Sequence, residues 1–126
     1  MKVITLKQPW ASLVATGYKK YEFRSWKINY RGDILIHAGK SIDADAMNKV
    51  KDLNLDYPNS KIIAIVHIDD CIQLTEKINK EICKENYKIY GNKDRIGYAW
   101  KLSNVRKIEI PEIISGKQGF WNYDLK

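Results

Sequence analysis

This chain is poor in the residues that staple a fold or span a membrane. Its 126 residues hold two cysteines, Cys71 and Cys83. Neither belongs to a Cys-x-x-Cys pair, and no Cys/His group has zinc-ligand spacing. The expectation is buried or half-buried thiols in a reducing compartment, with no metal and no cofactor. No apolar run approaches the roughly 20 residues that cross a bilayer. The opening MKVITLKQPW lacks the apolar stretch and small-residue cleavage site of a signal peptide, which points to the cytoplasm. The chain has no internal repeat, low-complexity tract or linker, so residues 1–126 read as a single domain. Neither a Walker loop nor a Gly-x-Ser-x-Gly elbow occurs.

What the chain does have is positive charge. Twenty-two Lys and Arg stand against fifteen Asp and Glu, a formal net charge of +7. An excess of this size favours polyanionic partners through its long-range field. The 44% hydrophobic fraction is ordinary for a globular core.

Periodicity supplies the elements. Met1 to Leu6 reads as a first strand. Pro9 suits the first position of a helix carrying Trp10, Leu13 and Val14, which Gly17 can stop with positive φ. Lys20 to Trp26 alternates, with Tyr21 and Phe23 on one face and Lys20, Glu22, Arg24 and Trp26 on the other. Ile34 to Ala38 is a strand. Ser41 is placed to cap a helix with Ile42, Ala46, Val50 and Leu53 as its apolar stripe. Lys61 to Leu74, apolar on both faces, reads as a central strand. Thr75 caps a short helix to about Cys83, and Glu85 to Asp94 reads as loop. Tyr98 to Leu102 and Val105 to Ile110 read as two strands turning near Asn104. Five or six strands with two or three short helices indicate an α+β domain built on a small curved sheet or barrel.

The densest chemistry lies between Gln8 and Trp26. Lys19 and Arg24 are charge-assisted donors suited to phosphate, and Trp10 or Trp26 offers a flat face for a base. Glu22 repels phosphate, so it serves to orient the cations, to accept from a base edge, or to act as a general base. A strand face of cross-strand charge pairs accounts for the same pattern without a ligand. Strict alternation sets Lys19 on the face opposite Glu22 and Arg24, although the nearby helix stop leaves its direction open. Arg31, before Gly32, and Lys40, in Gly39-Lys40-Ser41 at a strand-to-helix junction, form a second basic set. His37 and His67 read as satisfied strand histidines. Asp69 and Asp70 point to opposite faces, one of them bridging or capping.

Together these residues resemble the ASCH (activating signal cointegrator homology) family. The match runs through Gln8-Pro9-Trp10-Ala11-Ser12-Leu13, then Gly17-x-Lys19-x-x-Glu22-x-Arg24-Ser25-Trp26, the family's GxKxxExR signature, and on to Tyr30-Arg31-Gly32 and His37-Ala38. The resemblance implies a PUA-like β-barrel with flanking helices. It also implies a cleft that binds RNA or another single-stranded nucleic acid through Lys19, Glu22 and Arg24. Trp10, Ser12 and Trp26 would lie alongside, and Arg31 and Lys40 would extend a backbone path. Protein partners are also implied, since the domain occurs in a transcriptional coactivator. One enzymatic branch hydrolyses N4-acetylcytidine with the signature lysine and a threonine three residues later. Here that position is Glu22, so the nucleophile is missing. Another branch is a ribonuclease. The resemblance therefore leans toward a binder, with Lys19 and Glu22 the candidate catalytic residues of a hydrolase that used the same cleft.

Overall fold

The computed structural model describes residues 1–91 and 93–125. Its centre is a mixed sheet of six strands: β1 (Lys2–Gln8), β2 (Tyr21–Arg24), β3 (Gly32–Ile42), β4 (Lys61–Gln73), β5 (Tyr98–Lys107) and β6 (Trp121–Asn122). Their order across the sheet is β2-β5-β4-β3-β1-β6. β1 and β3 run parallel and the other neighbours antiparallel. A parallel pair cannot be joined by a tight turn. The crossover from β1 to β3 carries helix α1 (Trp10–Ala15) and β2; Glu22 and Arg24 of the signature lie on β2, and Gly17 and Lys19 in the bend between the two elements. The helices α2 (Ala44–Val50), α3 (Glu76–Glu85) and α4 (Tyr87–Tyr90) complete the α+β architecture.

The sheet is strongly curled. β2 lies at one end of the strand order and β1 next to the other, yet an Arg24 Nη2 of β2 donates to the Thr5 carbonyl of β1 at 3.2 Å. Inside the curl, Ile4, Leu6, Ile34, Ile36, Ala64, Val66, Ile68 and Trp100 are buried together. On β4 the buried residues alternate (Ile62, Ala64, Val66, Ile68) while the intervening positions are half-buried, as expected of a central strand. A second apolar cluster under the helices joins Leu13, Val50, Ile82, Ile89 and Tyr90, with Tyr21 and Phe23 packed on it.

Several element boundaries differ from expectation for local reasons. Pro9 stands at the N-cap rather than inside α1, and its ring offers no side-chain acceptor. Gln8 takes over that duty: its Oε1 accepts from Ser12 N at 3.0 Å while its Nε2 donates to Pro58 O at 2.8 Å. Ser41 does not cap α2, because pairing with β1 carries β3 on to Ile42. Asp43 caps instead, accepting from Ala46 N at 3.1 Å. Ile42 therefore leaves the apolar stripe and is 64% exposed. The segment read as a loop from Glu85 contains α4, which Asn86 caps through Ile89 N at 3.3 Å; Asn92 lies outside the described residues. The two expected C-terminal strands are one, β5, which tolerates Asn104 at φ 47°.

The stretch after β5 is strapped back across β1 and β3. His37 Nε2 donates to Ile114 O at 2.7 Å, and Thr5 Oγ1 meets His37 Nδ1 at 3.2 Å. Trp121 Nε1 donates to Thr5 Oγ1 at 3.2 Å. With Nε2–H committed to a carbonyl, Nδ1 is the acceptor for the Thr5 hydroxyl, which fixes one neutral tautomer. Burial pushes the His37 pKa below its ordinary 6.5, against the raising pull of the Ile114 carbonyl. A depressed histidine contributes stability that is present above the unfolded value and lost as pH falls toward the folded one. The urea midpoint should therefore decline as pH drops below 6.5. His37→Gln should lower the midpoint overall yet flatten that decline; an undiminished slope in the variant would assign it to other groups.

Candidate functional site

Three signature side chains meet at the mouth of the crossover. β2 begins only at Tyr21, so Lys19 precedes the strand and escapes its alternation. Gly17, at φ 83°, turns the chain out of α1, and Lys19 N donates to Leu13 O at 2.9 Å. This bend sends the Lys19 ammonium back toward β2, where it donates to Tyr21 O and to Glu22 Oε1, the latter at 3.0 Å. Glu22 Oε2 accepts from Arg24 Nε at 3.1 Å, and an Arg24 Nη2 lies 3.0 Å from the same oxygen. One carboxylate thus serves two cations, and Arg24 is further held by Thr5 O.

The group is largely dry: Lys19 is 4% exposed and Glu22 12%. Burial pushes the Lys19 pKa down, and Glu22 opposes it. Burial alone would raise the Glu22 pKa, but the charges of Lys19 and Arg24 and their hydrogen bonds outweigh it and hold the carboxyl below its ordinary value. Aromatic rings complete the setting. The ammonium stands 5.7 Å from the Trp10 ring centroid and 5.1 Å from that of Phe23.

These residues line a cavity of 390 Å³. Trp10 and Phe23 form its aromatic wall, and Asp43, Lys7, Lys93 and Arg95 stand around it. The last three were not anticipated from sequence. Arg95 sits in a stretch that carries no periodicity. Its guanidinium is 4.2 Å from the Phe23 centroid, and it donates to Tyr90 O and, at 3.3 Å, to Asn79 Oδ1. Only tertiary packing puts it there.

Other sequence candidates fall elsewhere. Ser12 is buried on α1 and borders a separate groove beside Pro58 and Lys107, so it does not reach the Lys19 cavity. Trp26 is held edge-on by Trp100 and Phe120 and lines a neighbouring cavity, as does Lys40. Arg31 borders neither cavity and pairs with Asp70 at 3.3 Å. Lys40 lies on a strand rather than at a helix start, so the expected helix-terminal anion site at Gly39–Ser41 is not formed. Asp69 bridges His67 and Ser103 at 2.8 and 2.7 Å. Among the described residues no helix is long and apolar enough to cross a membrane.

A family model of the ASCH domain matches residues 4–112. The chain belongs to the ASCH domain family. It is 24% identical over 135 aligned positions to activating signal cointegrator 1 of Mus musculus and, to the same degree, of Homo sapiens. Those alignments cover 98% of this chain but only 22% of each relative, so the chain spans about a fifth of their length. The crystal structure of a mutant of the ASCH protein of Zymomonas mobilis has the same fold, with a TM-score of 0.54 at 16% identity over 86% of this chain and 72% of that one.

The ion triad has a mechanical consequence. Removing one partner of a buried pair strands the other charge, at a cost of about 3–5 kcal/mol. Glu22→Ala should therefore destabilise the fold by about that amount in urea titration. Lys19→Met should cost less, because it removes an ammonium whose burial is itself unfavourable and leaves Arg24 to pair Glu22. Glu22, with its depressed pKa, contributes stability that is full above its ordinary 4.5 and lost as pH falls through the folded value. Equal losses in the two variants would show that Glu22 carries no special share.

Proposed function

We propose that this ASCH domain binds single-stranded nucleic acid, RNA rather than duplex DNA, by taking one unstacked nucleotide into the Lys19 cavity. The observation that carries the reading is the pre-assembled Lys19–Glu22–Arg24 triad on the wall of that cavity. Five cationic side chains and two carboxylates line it, which suits a ligand that brings negative charge. Its 390 Å³ lies within the range of small-ligand sites, roughly 300–1,000 Å³. A duplex cannot enter such a space; a base must leave its stack to do so.

In this reading each group has a separate task. Arg24, fixed on two sides, retains an N–H for phosphate or a base carbonyl. Glu22 holds both cations in register and accepts from an exocyclic amino group. Trp10 gives a stacking face, worth about 1–3 kcal/mol per base. Lys7, Lys93 and Arg95 supply the surrounding positive field. The matched relative is named an activating signal cointegrator, and that name belongs to a much longer chain.

The test is binding of short RNAs followed by anisotropy across salt concentrations. Affinity should fall steeply with salt, since phosphate contacts release counterions. Single strands should outcompete duplexes of the same sequence. Trp10→Ala should weaken binding by about 5- to 150-fold if one base stacks on it. Salt-independent or absent binding would remove the proposal. Time-dependent cleavage of the RNA, abolished by Lys19→Met, would move the assignment to a hydrolase.

A further inference from the structure

We propose that the larger cavity beside the Lys19 site holds the sugar–phosphate backbone of the flanking nucleotides, so that the protein grips at least two consecutive residues of one strand. This extension rests on the reading of the Lys19 cavity given above. The second cavity has a volume of 750 Å³. Lys7, Arg24, Lys40 and Lys117 line it, and none of its lining residues is an Asp or Glu. The Lys19 cavity, by contrast, carries Glu22 and Asp43. A hollow with four cations and no carboxylate is the more anion-selective of the two.

The two cavities are adjacent. They share Thr5, Leu6, Lys7 and Arg24 as a common wall. Arg24 is the fixed point of that wall, pinned by Glu22 on one side and the Thr5 carbonyl on the other. A strand leaving the first cavity would pass Arg24 and Lys7 to reach the second.

The outer rim of the second cavity is residues 115–119. That rim is anchored at both ends. Ile114 N donates to Ser60 O at 2.8 Å and Ile114 O accepts from His37; beyond the rim, Trp121 binds Thr5. The rim also approaches closely. A Cβ on Gly116 would come within 2.8 Å of Thr5 Cγ2 and 3.1 Å of His37 Cε1. The cavity is thus shaped before any ligand arrives, which reduces the ordering cost of binding. On its inner side Trp26 is fixed by ring contacts at 4.9 Å with Trp100 and 5.7 Å with Phe120.

Chemistry distinguishes the tasks of the two cavities. Lys40 and Lys117 are exposed ammonium groups on flexible stems. They act as point charges for phosphate and carry no base information. The second cavity therefore adds affinity and salt sensitivity, while any sequence preference arises in the first.

The experiment compares ligands of two lengths on the full chain: each ribonucleoside 5′-monophosphate, and homotetramers of the same bases in ribo and deoxyribo form, all by calorimetry across salt. The double variant K40Q/K117Q changes two exposed residues that stand outside the Lys19 cavity, and a thermal melt checks its fold. Tetramers should bind wild type at least tenfold more tightly than monophosphates. The variant should lose most of that advantage, and its salt slope should fall by about 1.4, or about 0.7 for each single-strand phosphate contact. All four bases and both sugars should lose the same factor, and monophosphate affinity should stay within about twofold. Tetramers that bind no better than monophosphates, an unaltered slope in the variant, or a loss confined to one base or one sugar would overturn the second site while leaving the first. If neither ligand length binds wild type, both readings fall together.

Discussion

One carboxylate shared by two cations is the constraint on which the site depends. Glu22 enters a nearly dry position because Lys19 and Arg24 both meet it within 3.1 Å. Neither cation would remain there alone. An unpaired buried ammonium neutralises or leaves, and an unpaired carboxylate does the same. The triad is therefore reciprocal: each member makes the burial of the others tolerable. Together they hold three functional groups in fixed mutual geometry, which isolated surface residues on mobile stems do not achieve.

That geometry requires the sheet to curl. Arg24 belongs to β2, which pairs with β5 at the end of the strand order, yet it reaches a β1 carbonyl. A flat sheet would set those strands far apart in the order β2-β5-β4-β3-β1-β6. The curl is filled by Trp100, fully buried and packed against Trp26 and Phe120, so the core that bends the sheet also props the wall of the second cavity. The parallel β1–β3 pairing contributes in the same way. It forces a crossover, and the crossover is where α1, Gly17 and the signature strand must lie. Core packing and site construction are one process here.

The sequence was legible where local physics governs. Alternation placed Glu22 and Arg24 on one face, and Gly17 was readable as a helix stop because only its left-handed φ lets the chain leave α1. Thr75 caps α3 through Ile78 N at 3.2 Å, the behaviour its residue type predicts. Legibility ended where distant segments decide. Lys19 could not be aimed by periodicity because it sits in a bend. Arg95 lies on an aperiodic stretch and reaches the cavity only through Asn79, Tyr90 and Phe23. Ser12 follows the Trp10 motif in sequence but faces away from it on the helix. Gly39-Lys40-Ser41 has the composition of a turn, and its pairing partner β1 makes it strand instead. For Arg95 and Gly39-Lys40-Ser41 a tertiary contact overrode the local signal.

In the proposed reading the triad suits recognition better than proton transfer. An efficient general base has a pKa near the working pH. The neighbours of Glu22 drive its pKa the other way, below the ordinary carboxylate value, so it is a weak base with both oxygens already occupied. Lys19 is shifted in the direction that favours nucleophilic chemistry, since burial lowers its pKa. Its ammonium nevertheless donates to Tyr21 O and Glu22, and to act as a nucleophile it would have to give up the positive charge that pairs with the Glu22 carboxylate. An anionic ligand asks less of the site. A phosphate or carbonyl oxygen placed beside Lys19 would favour the charged ammonium and offset the effect of burial, as Glu22 already does.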